Sequence, residues 1–349
     1  MSATIFPDCP LPVTPTDIIT MGHGSGGLLT HRLLQSGVFT MLQNEIADQQ
    51  HDGAFLELHG RMAFSTDSYV ISPLFFPGGN IGELAVNGTV NDLAMCGANA
   101  QYLSLSFILE EGFALSAFHQ ILASIRDACI KAGVQVVTGD TKVVERGKGD
   151  GIFINTSGIG KVHPHAQIHH KNIRPGDKII LSGYLAQHGI AIMSKREGLA
   201  FESDILSDTA PLNRLVNAML DEAGEAVHFL RDPTRGGLAS VLNELAESCP
   251  LGFIIDQEQL PVNAQVEGAC EMLGLDPLYV ANEGLLIAIA APESADTLLT
   301  AMRATETGKH AVIIGEVTAS HAGKVYLKSR IGGHRIVGFL TGEQLPRIC

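Results

Sequence analysis

The fold is decided by LSAFHQILASIRDACIKAGVQVVTGDTK, residues 115–142. Leu115–Ala132 reads as a helix closed by Gly133, the residue type that most often follows a helix end. Val134–Thr138 is a short apolar run, a buried strand, and it ends in Gly139-Asp140-Thr141-Lys142. A helix that hands over to a buried strand belongs to an α/β sheet. A strand running into Gly-Asp-Thr puts a carboxylate at the sheet's edge, where α/β proteins tend to bind ligands. The same alternation extends both ways. Upstream, Ala54–Leu58 and Met62–Ile71 read as strands around His59-Gly60, Ile81–Cys96 as a helix and Tyr102–Leu109 as a strand; Ile152–Ile159 follows downstream. A connection near 162–173 carries His163, His165, His169 and His170. No H-x-x-x-H helix or partner cysteine accompanies them, so they read as a linker rather than a metal site. Beyond it, Lys178–Ser182, Val227–Leu230, Leu251–Ile255, Leu285–Ala290 and Val312–Val317 read as strands. Residues 188–197, 211–223, 238–247, 264–273 and 295–305 read as helices.

A chain of 349 residues favours two domains, each with its own core. The expected division is an N-terminal arm (1–20), a first α/β domain (21–165), a second (166–330) and a mobile tail (331–349). The formal charge of −14 leaves no global basic footprint for nucleic acid and makes a generic anionic-membrane binder a poor fit. The six cysteines form no C-x-x-C pair, which removes support for a zinc knuckle or thioredoxin-type site. No basic stretch followed by an apolar one opens the chain, and no apolar run reaches ~18 residues. The expectation is a cytoplasmic protein with free thiols.

Residues of unusual type for their element mark the candidate site. Met21-Gly-His-Gly-Ser-Gly-Gly27 precedes an apolar-periodic run and opens a helix. Such a loop is either flexible or a cradle of free N–H groups for phosphate. Asp67 lies inside an apolar strand, where Asp is depleted. Asn87, Gly88, Asn91 and Asp92 share one stripe of the 81–96 helix, a site or a solvated face. Cys96, ending that helix, reads as a core cysteine. Asp140 and Asp232 stand where strands end, Lys142 beside the first as relay or plain ion-pair partner, and Glu283 enters the strand at Leu285. If Asp67, Asp92, Asp140 and Asp232 converge, they suit a hard divalent cation carrying phosphates. The chain ends Pro346-Arg347-Ile348-Cys349. Extended from Gly342, that end reaches roughly 24 Å, far enough to enter a cleft and leave it. Its cysteine is either incidental or the working part.

The strings Phe64–Ile71, Asn80–Asp92, Val137–Val144, Arg231–Gly237 and Ala281–Gly284 resemble the aminoimidazole ribonucleotide synthetase superfamily, which includes selenophosphate synthetase and thiamine-monophosphate kinase. With His23-Gly-Ser-Gly-Gly27 at one end and Pro346–Cys349 at the other, the resemblance narrows to the HypE family of hydrogenase maturation factors. It implies a PurM-like α/β (α+β) fold of two domains: an N-terminal one forming an intersubunit β-barrel in a homodimer, and a C-terminal α/β sandwich. It implies ATP and Mg²⁺, with Thr66, Asp67, Asn91, Asp92, Gly139, Asp140, Thr141 and Asp232 binding the nucleotide and Asp67, Asp92, Asp140 and Asp232 the metal. It implies that Cys349 accepts a carbamoyl group from HypF. ATP-driven dehydration to a thiocyanate follows, with Glu283 as base and Lys142 polarising or relaying. The cyanide is then delivered to iron on a HypC–HypD scaffold for a [NiFe]-hydrogenase. A selenophosphate synthetase-like kinase fits less well, because the Gly-rich loop holds His23 and neither Cys nor Lys. A nucleotide-sensing adaptor is the rival from outside enzymology.

Overall fold

The computed structural model describes residues 17–49, 53–198, 205–342 and 347–349. Most of the arm with Cys9, and Pro346 of the chain end, lie outside the described residues.

The first domain is built on four strands, β1 (Met62–Tyr69), β4 (Ala98–Glu110), β5 (Gln135–Val144) and β6 (Ile152–Val162). A two-residue hairpin, β2 (Phe75–Phe76) and β3 (Gly79–Asn80), stands apart. The order is β1-β6-β4-β5, with only the β4/β5 pair parallel. That parallel pair is joined by the expected helix, α3 (Leu115–Ala132), which ends on left-handed Gly133. α3 buries one stripe, from Phe118 to Ala132, and leaves the other in water. Phe118 stands edge-on to Phe107 of β4, with centroids 5.2 Å apart, an arrangement worth about 1 kcal/mol beyond burial.

A short helix, α1 (Leu28–Leu33), follows the Gly-rich loop. The pivot of the molecule is α2 (Ile81–Met95), capped by the Asn80 side chain, which accepts from the Gly82 N–H. It is buried on nearly every side, so it serves as an interior rod rather than an amphipathic cover. A Cβ at Gly88 would stand 2.2 Å from the Tyr69 hydroxyl, so only glycine lets helix and strand approach this closely.

The second domain is a seven-stranded mixed sheet: β7 (Lys178–Leu181), β8 (Val227–Arg231), β9 (Gly252–Asp256), β10 (Ile287–Ala290), β11 (Val312–Thr318), β12 (Val325–Lys328) and β13 (His334–Val337), in the order β13-β12-β9-β11-β7-β10-β8. On one face pack α4 (Gln187–Glu197), α6 (Gly237–Ser248) and α7 (Ala264–Leu273). On the other lie α5 (Asn213–Ala223) and α8 (Ala295–Arg303). That second face, α2 and the first sheet share one continuous apolar cluster.

Four readings change. β5 runs on to Val144, so Asp140 stands within a strand and not at its end. Ala54–Leu58 alternates in exposure but forms no strand, having no ladder partner among the described residues. Cys96 caps the end of α2 and is exposed, not core. The segment assigned to a tail from 331 contributes β13, which pairs with β12 through Val337, and the last residues are docked rather than loose. No described helix is long and apolar enough to cross a membrane.

Candidate active site

Three loops of the second domain meet the inner face of β1 and the polar side of α2. The loop after β8 brings Asp232, Pro233 and Arg235; the segment before β10 brings Asn282, Glu283 and Gly284; the stretch at 205–212 brings Asp208. Asn282 ties the loop after β8 to the segment before β10 and to the start of α4. Its side chain donates to the Pro233 and Val280 carbonyls at 2.8 and 3.0 Å and accepts the Ala186 N–H at 2.7 Å. Asp208 accepts from the Glu283 and Gly284 N–H groups at 3.1 and 3.0 Å. A Cβ on Gly284 would meet the Asp208 carbonyl at 1.7 Å, so the turn carrying Glu283 depends on glycine.

The carboxylates gathered here raise one another. Burial first, then Asp92 and Asp67, push Asp232 up to about 7. Asp92 is raised by burial and opposed by a hydrogen bond from the Ser65 hydroxyl at 2.7 Å. Burial lifts Asp208 to about 6. Glu283 lies well above the usual carboxylate range through burial, then Asp232, Asp208, Asp67 and Asp92. Its Oε1 is buried and has no hydrogen-bond partner among the described residues. A buried acceptor without a donor is costly, and in native structures such atoms mark chemistry or a missing guest.

The chain end lies against this group. Ile348 is 2% exposed, and Cys349 is half-buried on the same apolar cluster. Burial pushes the Cys349 thiol up to about 12, Glu283 and Asp67 add to the rise, and Arg235 opposes it through charge and a hydrogen bond. Thiol, base candidate and guanidinium therefore occupy one pocket.

Asp67, Asp92, Asp232, Glu283 and Cys349 come together as expected; Asp140 and Lys142 do not. Asp140 is register-paired with Ser106, and through it with Asn155 and Ser68 on the outer face; Asp67, paired with Thr156, belongs to the inner face. Three strand spacings separate β5 from β1, roughly 14 Å. One chain therefore cannot ligate a single ion with both Asp67 and Asp140. Lys142 pairs with Asp140 at 2.9 Å and is exposed. Thr66 also stands on the outer face, accepting from Ser157 at 2.9 Å. Asn91 is fully engaged: it donates to the Ala210 and Glu283 carbonyls and accepts from the Leu212 N–H. The α2 stripe is thus a seam between domains rather than a solvated face.

Gly139, Asp140, Thr141 and Lys142 instead line a cleft of about 360 Å³ with Gly24, Gly26 and Thr30 of the Gly-rich loop and the apolar Leu34, Val38 and Phe107. Backbone N–H groups beside an apolar hollow suit a nucleotide. Sequence reading passed over Arg235, Asp208 and His188. Arg235 stood in a quoted string, but nothing in its spacing pointed at Cys349.

Among the described residues no three His, Cys, Asp or Glu side chains form a preformed metal cage. The charge does fit a cation: Asp67 raises Asp92 and Asp232, the Arg231 charge offsets that only in part, and Mg²⁺ needs only a few carboxylates when phosphates complete its shell.

Residues 50–162 match the N-terminal domain of AIR synthase related proteins, and 174–328 their C-terminal domain. The carbamoyl dehydratase HypE of Azotobacter vinelandii is 53% identical over 332 residues, 95% of this chain and 97% of that protein. A crystal structure of the hydrogenase maturation protein HypE in complex with ATP superposes with a TM-score of 0.91 at 46% identity, covering 94% of this chain and 99% of that one. A HypE–HypF complex superposes with a TM-score of 0.78 at 44% identity, covering 90% and 100%.

Proposed function

The chain belongs to the HypE carbamoyl dehydratases, an enzyme family of hydrogenase maturation within the AIR synthase related proteins, and from that premise we propose that its substrate is its own Cys349. The observation that carries this is the burial of the Cys349 thiol within electrostatic reach of Glu283, whose buried Oε1 has no hydrogen-bond partner among the described residues. A docked thiol raised to about 12 is almost wholly protonated and a poor nucleophile. Carbamoyl loading by HypF therefore takes place with the chain end outside. An S-carboxamide side chain then returns to the pocket, and being neutral at sulfur it adds no thiolate charge to a desolvated, acidic site.

Phosphoryl transfer from ATP, whose Mg²⁺ would neutralise the phosphates, makes the amide oxygen a leaving group. Asp67, Asp92 and Asp232 would hold that metal. The carboxamide gives up one N–H proton to solvent as its oxygen takes the phosphoryl group, and Glu283 takes the remaining N–H proton as phosphate departs and the C≡N bond completes, leaving the sulfur as a thiocyanate. In the bare site burial and repulsion keep Glu283 protonated. Positive charge among its neighbours would replace the repulsion with attraction and oppose the larger effect of burial, which favours Glu283 as a base in the loaded pocket. Lys142 and Asp140 are better placed to grip the nucleotide at the Gly-rich cleft than to relay that proton.

The cyanide goes on to iron held by HypC–HypD. The outer face of the first sheet supports a homodimer. It exposes Phe64 and Ile108 around rows of hydroxyls from Thr66, Ser104 and Ser157, a mixed surface suited to closing an intersubunit barrel. Intact-protein mass spectrometry with HypF, carbamoyl donor and ATP tests the reading. The expected series is a carbamoyl adduct on Cys349 that then loses one water, and Cys349→Ala forms neither. An adduct in that variant overturns it.

A further inference from the structure

The last three residues are held by groups that the dehydration itself does not use. The Val70 N–H donates to the Cys349 carbonyl at 3.2 Å and the Ser72 N–H to the Arg347 carbonyl at 3.3 Å. Arg347 Nε–H donates back to the Val70 carbonyl at 2.9 Å, and its guanidinium pairs with Asp150. Arg196 reaches the Ser72 and Arg347 carbonyls. These contacts are at or near the surface. One is not: His188, fully buried on α4, lies 2.8 Å from the Ile348 carbonyl through Nε2 and 2.8 Å from Ser207 Oγ through Nδ1.

The carbonyl can only accept, so Nε2 carries the proton and Nδ1 accepts from the Ser207 hydroxyl. Ser207 Oγ also accepts the Thr209 N–H at 3.1 Å, an acceptor role that leaves its O–H for Nδ1 of the neutral ring. Phe76 closes the ring in edge-on at 5.5 Å. Burial holds His188 down to about 4, so the neutral tautomer persists across the working range. Ser207 adjoins Asp208, the carboxylate that caps the Glu283 turn. The ring that touches the chain end is thus one residue removed from the group that sets the base.

We propose that His188 is a positioning residue, a latch whose Nε2–H seats the Ile348 carbonyl and so registers Cys349 against Glu283. A histidine that merely filled the core would need its volume and one polar contact, not a donor aimed at the last peptide carbonyl. His188 serves a reaction at Cys349, so this role rests on the dehydratase reading. Alkylation needs neither ATP nor carbamoyl donor, and it therefore tells failure of the latch apart from failure of that reading.

The test is iodoacetamide labelling of the full chain without nucleotide at pH 8, read by peptide mass spectrometry as the rate at Cys349 relative to exposed Cys96. Glutamine can place an amide N–H near the Nε2 position, whereas asparagine reaches only the Nδ1 position. His188→Gln is expected to keep the native ratio within a factor of about two, and His188→Asn to raise it at least about tenfold, the scale set by leaving one buried carbonyl without a donor. Ser207→Ala, which frees the ring to turn, is expected to shift the ratio the same way by less, with Cys96 labelling unchanged as a check on folding. A native ratio in His188→Asn, or equal exposure in the Gln and Asn variants, overturns the latch.

Discussion

Truncating Ile348 to Ala should release the chain end without loosening the fold. The side chain is 2% exposed and packs on the cluster shared by both domains. Replacing a buried isoleucine by alanine typically costs about 2–5 kcal/mol. Ile348 lies beyond the last strand, so the loss falls on the docking equilibrium and not on global unfolding. At about 3 kcal/mol that equilibrium shifts roughly a hundredfold toward the undocked state. The thiol reports the shift sensitively. Docked, it stands at about 12, and at pH 8 only about one thiolate in ten thousand is present; an ordinary thiol near 8.5 is about a quarter ionised. Labelling of Cys349 with a small alkylating agent should therefore proceed mainly from the undocked fraction and accelerate about a hundredfold in Ile348→Ala. Ile348→Val, costing about 1 kcal/mol, should give about a fivefold gain. The melting temperature should hold in both. A native labelling rate in Ile348→Ala would refute the claim that burial of this side chain holds the end in place.

Glu283→Gln removes the proton acceptor but keeps the shape; the chain should accept carbamoyl groups normally and stall before water loss, and a normal thiocyanate yield would remove Glu283 from the mechanism. Asp208 gives a pH signature. Burial lifts it from 3.8 to about 6, so its stabilising contribution is complete below pH ~4 and is lost as pH rises through about 6. The gap corresponds to roughly 3 kcal/mol. Measured by urea unfolding, the parent's stability relative to Asp208→Asn should fall by that amount between pH 4 and 7, and a flat difference would sink the assignment. In the other cleft, a Cβ at Gly24 would meet Val143 Cβ at 2.8 Å and the Val143 N at 2.9 Å. Calorimetric titration should show Gly24→Ala binding ATP at least about tenfold more weakly with Cys349 labelling unchanged; unaltered affinity would move the nucleotide elsewhere.

Much of the scaffold was legible because burial repeats with the period of each element. α3 with its closing Gly133 and five of the seven strands of the second sheet follow directly from that signal, whereas β12 and β13 went unread. So does the oddity of Asp67 in an apolar strand. What failed is what periodicity does not encode. The apolar run stops at Thr138, yet β5 continues through Gly139, where a Cβ would stand only 2.1 Å from the Leu105 carbonyl. The alternation at Ala54–Leu58 is real, but a strand also needs a neighbour to pair with. Within the site, Asp92, Asp232 and Glu283 betrayed themselves as acids in apolar surroundings. His188 gave no such signal, since its partner lies 160 positions away in the chain. Asp140 and Asp67 share residue type and strand context but not a face of the sheet, a distinction only register supplies.

The apolar cluster that runs from α3 through α2 to α5 and α8 welds the two halves into one body. Hinge opening, the usual route by which two-lobed enzymes admit and release what they work on, would tear that weld along its whole length. On the proposed dehydratase reading, traffic is then borne by the segment that ends in Cys349, which leaves its seat beside Val70–Ser72 and returns to it. The pace of the cycle becomes a matter of how often a short strap lets go, which is a property of some half-dozen contacts rather than of the bulk of the molecule.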